Sequence, residues 1–229
     1  MASRLTLFVH SRTQMTKTKN IMGKETSKKE NATIKSEGSM RNCAIIDSIL
    51  SLLKAYKALK GSESNKFDLD CLHYLLGQCI RQYDIPKENR HVSRAALVFW
   101  KTISTQKIGD YHYRNAVPCD NLKKEINVQS YTGATSTGSP LLLKPGKTFI
   151  FRNLFHEDHI TPVSFILNEL IDMDSVDKES IEDCLNKMHL CVLLKEEDRN
   201  LGRTKGRGDF ETTIKDAYKD IELLPIDHQ

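Results

Sequence analysis

The sequence predicts an α+β fold, helical in its first half and built of short strands and turns in its second. Three observations predict it. Apolar residues recur at helical spacing in three segments between residues 43 and 107. From Gly109 onward, short apolar runs alternate with Gly, Pro and Asn. A cluster of histidines and carboxylates then follows directly on a strand candidate.

The elements are justified in order. Residues 1–42 are rich in Ser, Thr, Asn and Lys and show no apolar period beyond Leu5–Val9, so a basic, disordered tail is expected. Its first 24 residues carry no acid, which fits an organelle transit peptide and a basic arm on nucleic acid equally well. Asn42 stands at a cap position for a helix to Lys60, with Ile45, Ile46, Ile49, Leu53 and Tyr56 on one side and Gly61 at its end. A second helix follows Asp68, carries Leu69, Leu72, Leu76 and Ile80, and is ended by Ile85-Pro86. Ser93 is a cap for a third, bearing Ala96, Leu97, Trp100 and Ile103. These three helices are expected to form a small bundle, the helical domain 43–107. His73 and His91 lie within it and read as structural or surface histidines.

Residues 108–140 read as a linker or loop region, closed by the Gly133–Pro140 run. Pro145-Gly146 is a turn between two strand candidates, Leu141–Lys144 and Thr148–Phe151. Gly146-Lys147-Thr148 is not a phosphate loop, because Leu141 stands where that motif needs glycine and a strand follows. Pro162 ends an extended segment, and Ser164 can cap a helix from Phe165 to Ile171. A C-terminal helix is expected in 209–229, packing through Phe210, Ile214, Ala217, Tyr218 and Ile221.

Composition removes several classes. The 229 residues are 39% hydrophobic and 28% charged, with mean hydropathy −0.46. No apolar run approaches the ~18–20 residues that span a bilayer, and no signal-peptide core follows the N-terminus. The expectation is an intracellular protein, cytoplasmic unless the basic N-terminus directs it to an organelle, with no membrane partner. The chain carries +4 overall; residues 1–42 hold nine basic and three acidic groups, so the remainder is −2. Any nucleic-acid surface on the folded part is therefore local. None of the six cysteines forms a C-x-x-C pair, which excludes a zinc knuckle and leaves free thiols, mostly in the core.

Two stretches carry chemistry. The first, Arg152–Ser164, packs His156, Glu157, Asp158 and His159 into four consecutive residues and continues Ile160-Thr161-Pro162-Val163-Ser164. On a strand, Asp158 and His159 point to opposite faces, so one can hold a metal while the other meets a substrate. His156 shares the face of Asp158. The second, Met188–Gly208, is an apolar segment leading into a polar helix start that holds Asn200, then a loop, 202–208, with three glycines and three basic residues. Such a loop suits close approach of a phosphate backbone, and equally a solvated helix end.

Together these stretches, roughly residues 141–208, resemble the HNH, or ββα-metal, nuclease family, whose signature is Asp-His followed by Ile-x-Pro-x-Ser, with an Asn on a closing helix. The texture is similar to the HNH domain of RNA-guided CRISPR effectors. The resemblance implies that Asp158 and Asn200 bind metal, that His159 is the general base, and that His189 falls near the middle position that orients the base. It implies a ββα-metal module at 141–208. Three departures stand out: 41 positions separate His159 from Asn200, with the acidic segment Asp172–Asp183 in between; the middle residue is His rather than Asn; and no cysteine pairs flank the motif.

Phosphodiester hydrolysis needs an activated water and a stabilised phosphorane, which a neutral imidazole and one divalent ion supply. A hard oxygen set suits Mg2+ or Mn2+. His156 is either a third ligand, favouring a softer metal, or a bystander. Arg199, Arg203, Lys205 and Arg207 are the expected nucleic-acid contacts. The resulting expectation is a metal-dependent HNH endonuclease acting on DNA, of restriction or mobile-element type, with RNA as the other candidate substrate. The alternative is a non-catalytic nucleic-acid-binding or interaction module on the same scaffold. Oligomeric state is not readable.

Overall fold

The structure, a computed structural model, describes residues 23–60, 66–132, 140–201 and 206–227. The chain divides into two compact units, 1–40 and 41–229. In the first, helix α1 (Gly23–Lys60) begins, so residues 23–42 are helical rather than the expected tail; the stretch 1–22 lies outside the described residues. Asn42 is consequently inside the helix and caps nothing. Its side-chain amide instead donates to the Asp84 carbonyl and accepts from the Asp84 N–H, at 3.2 and 3.0 Å, tying the helix to the turn that Pro86 forces.

Within residues 41–229, Ile46, Ile49 and Leu53 of α1 meet Leu76 and Ile80 of α2 (Lys66–Arg81). After Pro86 the chain does not go straight into a helix. Arg90–Ser93 forms strand β1, inside the segment expected to be helical. Ser93 then caps α3 (Arg94–Ile103), its hydroxyl accepting the Ala96 N–H at 3.0 Å, as the sequence predicts. The expected three-helix bundle is not formed. Leu97, Trp100 and Ile103 of α3 pack on the sheet with Phe151 and Phe155, away from the core of α1 and α2.

The stretch 108–140 is also more than a linker. It holds β2 (Ala116–Pro118), β3 (Ile126–Asn127) and the short helix α4 (Gln129–Thr132), and buries Val117, Cys119, Leu122 and Val128. The two strand candidates after it are present as β4 (Leu142–Leu143) and β5 (Thr148–Ile150), with Gly146 at φ 71° between them. They do not form a hairpin: β4 pairs with β3, and β5 with β2.

Next come β6 (Phe155–His159), α5 (Val163–Asp172), α6 (Lys178–Leu185), β7 (Leu190–Leu194) and α7 (Lys195–Asn200). Helix α5 starts earlier than expected, with Pro162 at its cap position, so Ser164 lies in the first turn. Its Ile166, Leu167 and Leu170 join the core of α1 and α2. The chain ends with α8 (Phe210–Asp216) and β8 (Leu223–Pro225), so the C-terminal helix expected over 209–229 is cut short by a strand. The apolar residues anticipated there do pack, around Tyr218, Cys191 and Leu201.

The main sheet has the order β6-β7-β1-β8. Strand β7 runs antiparallel to β6, with Asp158 opposite Cys191, and parallel to β1, with Val92 opposite Val192. The α+β class holds. All six cysteines are free thiols; Cys119, Cys184 and Cys191 are buried, while Cys43 and Cys71 are exposed, so only half sit in the core.

Candidate metal centre and flanking cleft

Strand β6 alternates two environments because its ends are fixed by apolar burial and its middle is polar. Phe155 stacks on Phe151 with centroids 4.8 Å apart and meets Trp100 edge-on. Ile160, one residue past the strand, is fully buried on the opposite side. Between these anchors His156, Glu157, Asp158 and His159 are half-buried. Since β6 is the last strand of the sheet, its outer edge has no neighbouring strand among the described residues.

The face of His156 and Asp158 looks toward α7 and α8. His156, Asp158 and Asp198 each offer a ligand atom, all within 4.8 Å of one another. His156 Nε2 stands 3.7 Å from Asp198 Oδ1. The second oxygen of Asp158, Oδ2, accepts from Arg207 Nη1 at 2.7 Å and from the Tyr218 hydroxyl at 2.5 Å. Arg207 also reaches the His159 carbonyl at 3.2 Å. With Oδ2 doubly held, the carboxylate of Asp158 is fixed in orientation. One imidazole and two carboxylates so close together could hold a metal ion, and imidazole is a donor better suited to transition metals than to Mg2+.

Asp198 is positioned by its neighbour. The Glu197 carboxylate accepts from the Leu194 N–H at 2.9 Å and from Ser93 Oγ at 2.6 Å, which locks the first turn of α7 to β1. Glu197 is thereby used structurally, and the next residue is turned toward His156. In the sequence Asp198 is only an acid in a helix's first turn, a position the helix dipole already explains. The signal that marks it is the separation of that acid from an imidazole by a strand pair.

Glu157 and His159, on the other face of β6, line a cleft of 560 Å³ that His156 also borders. Burial holds the His159 imidazole below its ordinary pKa, which favours the neutral ring at pH 7. Glu157 Oε2 pairs with His112 Nδ1 at 2.7 Å, and this hydrogen bond raises the pKa of His112.

The remaining expected site residues separate. Asn200 closes α7, two residues after Asp198, and is exposed. Arg199 is exposed beside it. Arg203 and Lys205 lie outside the described residues. Arg207, expected to face phosphate, is turned inward with its side chain 9% exposed, beneath Asp158 and over the Tyr218 ring. Gly206 permits this turn: its φ is 74°, and a Cβ there would stand 2.7 Å from that of Asp216. His189 does not orient His159 through its ring. Its carbonyl accepts the Ile160 N–H, while its ring stacks on Phe210 at 3.9 Å and places Nδ1 3.1 Å from His91 Nε2. Burial, and then the neighbouring His91, pushes its pKa down to about 4.

No known protein family, curated protein or solved structure matches the chain.

Proposed function

We propose that this chain is a metal-dependent endonuclease of the HNH type that hydrolyses phosphodiester bonds in DNA. The observation that carries the reading is the division of β6. Metal-capable donors, His156 and Asp158, occupy one face, and a neutral imidazole, His159, occupies the other, one residue away. Because β6 is the edge of the sheet, a phosphate arriving at that edge meets both faces. The order of elements adds support: two antiparallel strands and a closing helix, β6, β7 and α7, with α5 and α6 inserted where the sequence shows its long acidic spacing.

His156, Asp158 and Asp198 would hold the ion, with Asn200 available on the same helix. When bound, the ion supplies a Lewis acid for the phosphoryl and leaving oxygens. Arg207 and Tyr218 fix the carboxylate of Asp158 so that it does not rotate toward solvent. The His159 ring accepts the proton of the attacking water as that oxygen bonds to phosphorus and the bond to the leaving oxygen breaks. Phe155 and Ile160 keep the strand that carries all these groups from shifting register.

Incubation of plasmid DNA with the full chain in Mg2+, in Mn2+ and in EDTA tests the reading. Nicking or linearisation with either metal and none in EDTA is expected. Intact plasmid under every condition, from folded protein, overturns it. A parallel RNA substrate decides which polynucleotide is preferred.

A further inference from the structure

The cleft beside His159 carries more positive charge than a general base needs. Its wall opposite β6 is made by the end of α2 and the turn into β1, with Arg41 from α1 at its rim. Three guanidiniums, those of Arg41, Arg81 and Arg90, line it. Arg90 is neutralised: it pairs with Asp84 at 2.5 Å and donates to the Ile85 carbonyl at 2.9 Å. The other acid in the cleft, Glu157, is taken by His112. Arg41 and Arg81 are different. Arg41 donates to the side-chain oxygen of Gln82 at 3.0 Å, and Arg81 to the Gly77 carbonyl at 3.1 Å, both neutral acceptors. Among the described residues neither has a carboxylate within ion-pair distance.

Arg41 and Arg81 are exposed residues lining the same cleft, and their planar forks match phosphate oxygens. The volume, 560 Å³, is that of a ligand cleft rather than a packing defect. We infer that this cleft is a phosphate-binding site for the polynucleotide strand, with phosphates flanking the scissile one seated on Arg41 and Arg81. The identity of the ligand rests on the nuclease reading. The site itself lies between β6 and the end of α2.

The test is binding of a short labelled DNA duplex by the full chain in EDTA, across a range of salt, with cleavage in Mn2+ measured alongside. The double variant Arg41→Gln/Arg81→Gln should flatten the plot of log affinity against log salt by about 0.9 for each phosphate no longer neutralised. Arg41→Lys/Arg81→Lys should keep most of the slope, and Lys123→Gln/Lys124→Gln, exposed cations elsewhere, should leave it unchanged. If the double glutamine variant does not fold, Arg41→Gln alone, at an exposed position, should flatten the slope by about one such increment. An unchanged slope in the arginine variants, an equal flattening in the lysine control, or no duplex binding by the wild type overturns the inference. Cleavage with an unchanged slope leaves the nuclease reading standing and the cleft refuted. A flattened slope with no cleavage by wild type leaves the cleft standing and the nuclease reading refuted.

Discussion

Arg207 and Tyr218 donate to the same oxygen of Asp158, at 2.7 and 2.5 Å. Tyr218 is buried, and burial together with the Asp158 carboxylate keeps its hydroxyl protonated far above the usual phenol range. The hydroxyl is therefore a permanent donor. Tyr218→Phe should lower folding stability by about 1–3 kcal/mol, the cost of withdrawing one partner from a half-buried carboxylate. Urea denaturation measures it. Arg207→Met should cost more, roughly 3–5 kcal/mol, because it strands the charge of Asp158. Arg199→Met, at an exposed position, should be near neutral.

The ligand set distinguishes the structure's reading from the sequence's. Asp198→Asn should weaken Mn2+ binding about tenfold or more, at least what removing a supporting residue typically costs. His156→Ala should do the same. Asn200→Ala should have the larger effect only if the amide ligates directly. Manganese titrations followed by electron paramagnetic resonance give all three constants, and unchanged affinity in both Asp198 and His156 variants would remove the metal centre.

His159→Ala should reduce cleavage by about 10²–10⁴, the usual contribution of a general base, with duplex affinity in EDTA nearly unchanged. Wild-type cleavage rates in this variant would show that another group takes the proton.

The His91–His189 pair sets an acid limit on stability. Both rings have depressed pKa values through burial, His189 to about 4 against an ordinary 6.5. The unfolded chain therefore binds protons first. The contribution of His189 is complete above about pH 6.5 and is lost progressively as pH falls to about 4. Urea midpoints measured from pH 7.5 to 4 should fall through that interval, and His189→Phe should shallow the fall by removing one of the two titrating rings.

How much of this was legible in the sequence depends on the distance over which each feature is decided. The cap at Ser93 was readable because it rests on residues close by. Strand β1 was not, because four residues between Pro86 and a helix become a strand only when Leu190–Val192 lies beside them. The same holds for β8, where Leu223 and Leu224 extend the helical period of α8 but pair with β1 instead. In the candidate site, the cluster His156–His159 followed by Ile-x-Pro-x-Ser marked Asp158 and His159 as candidates. Asp198 was not readable, since only the fold brings it within reach of His156 and Asp158. Arg207 looked like a phosphate contact because nothing local says that Gly206 folds it under Asp158.

Strand β1 (Arg90–Ser93) lies between β7 (Leu190–Leu194) and β8 (Leu223–Pro225), both far later in the chain. During synthesis β1 must wait, unpaired on both sides, until the ribosome has delivered both of its neighbours. Tyr218, which secures Asp158, is delivered in the same late segment as β8. Helices α1 and α2 can form early from local contacts, but the centre on β6 can assemble only after that segment has emerged. Such long-range pairing makes folding slow. A chain released before Tyr218 would lack the hydroxyl that holds Asp158, so the proposed centre is incomplete in every nascent fragment that stops short of it.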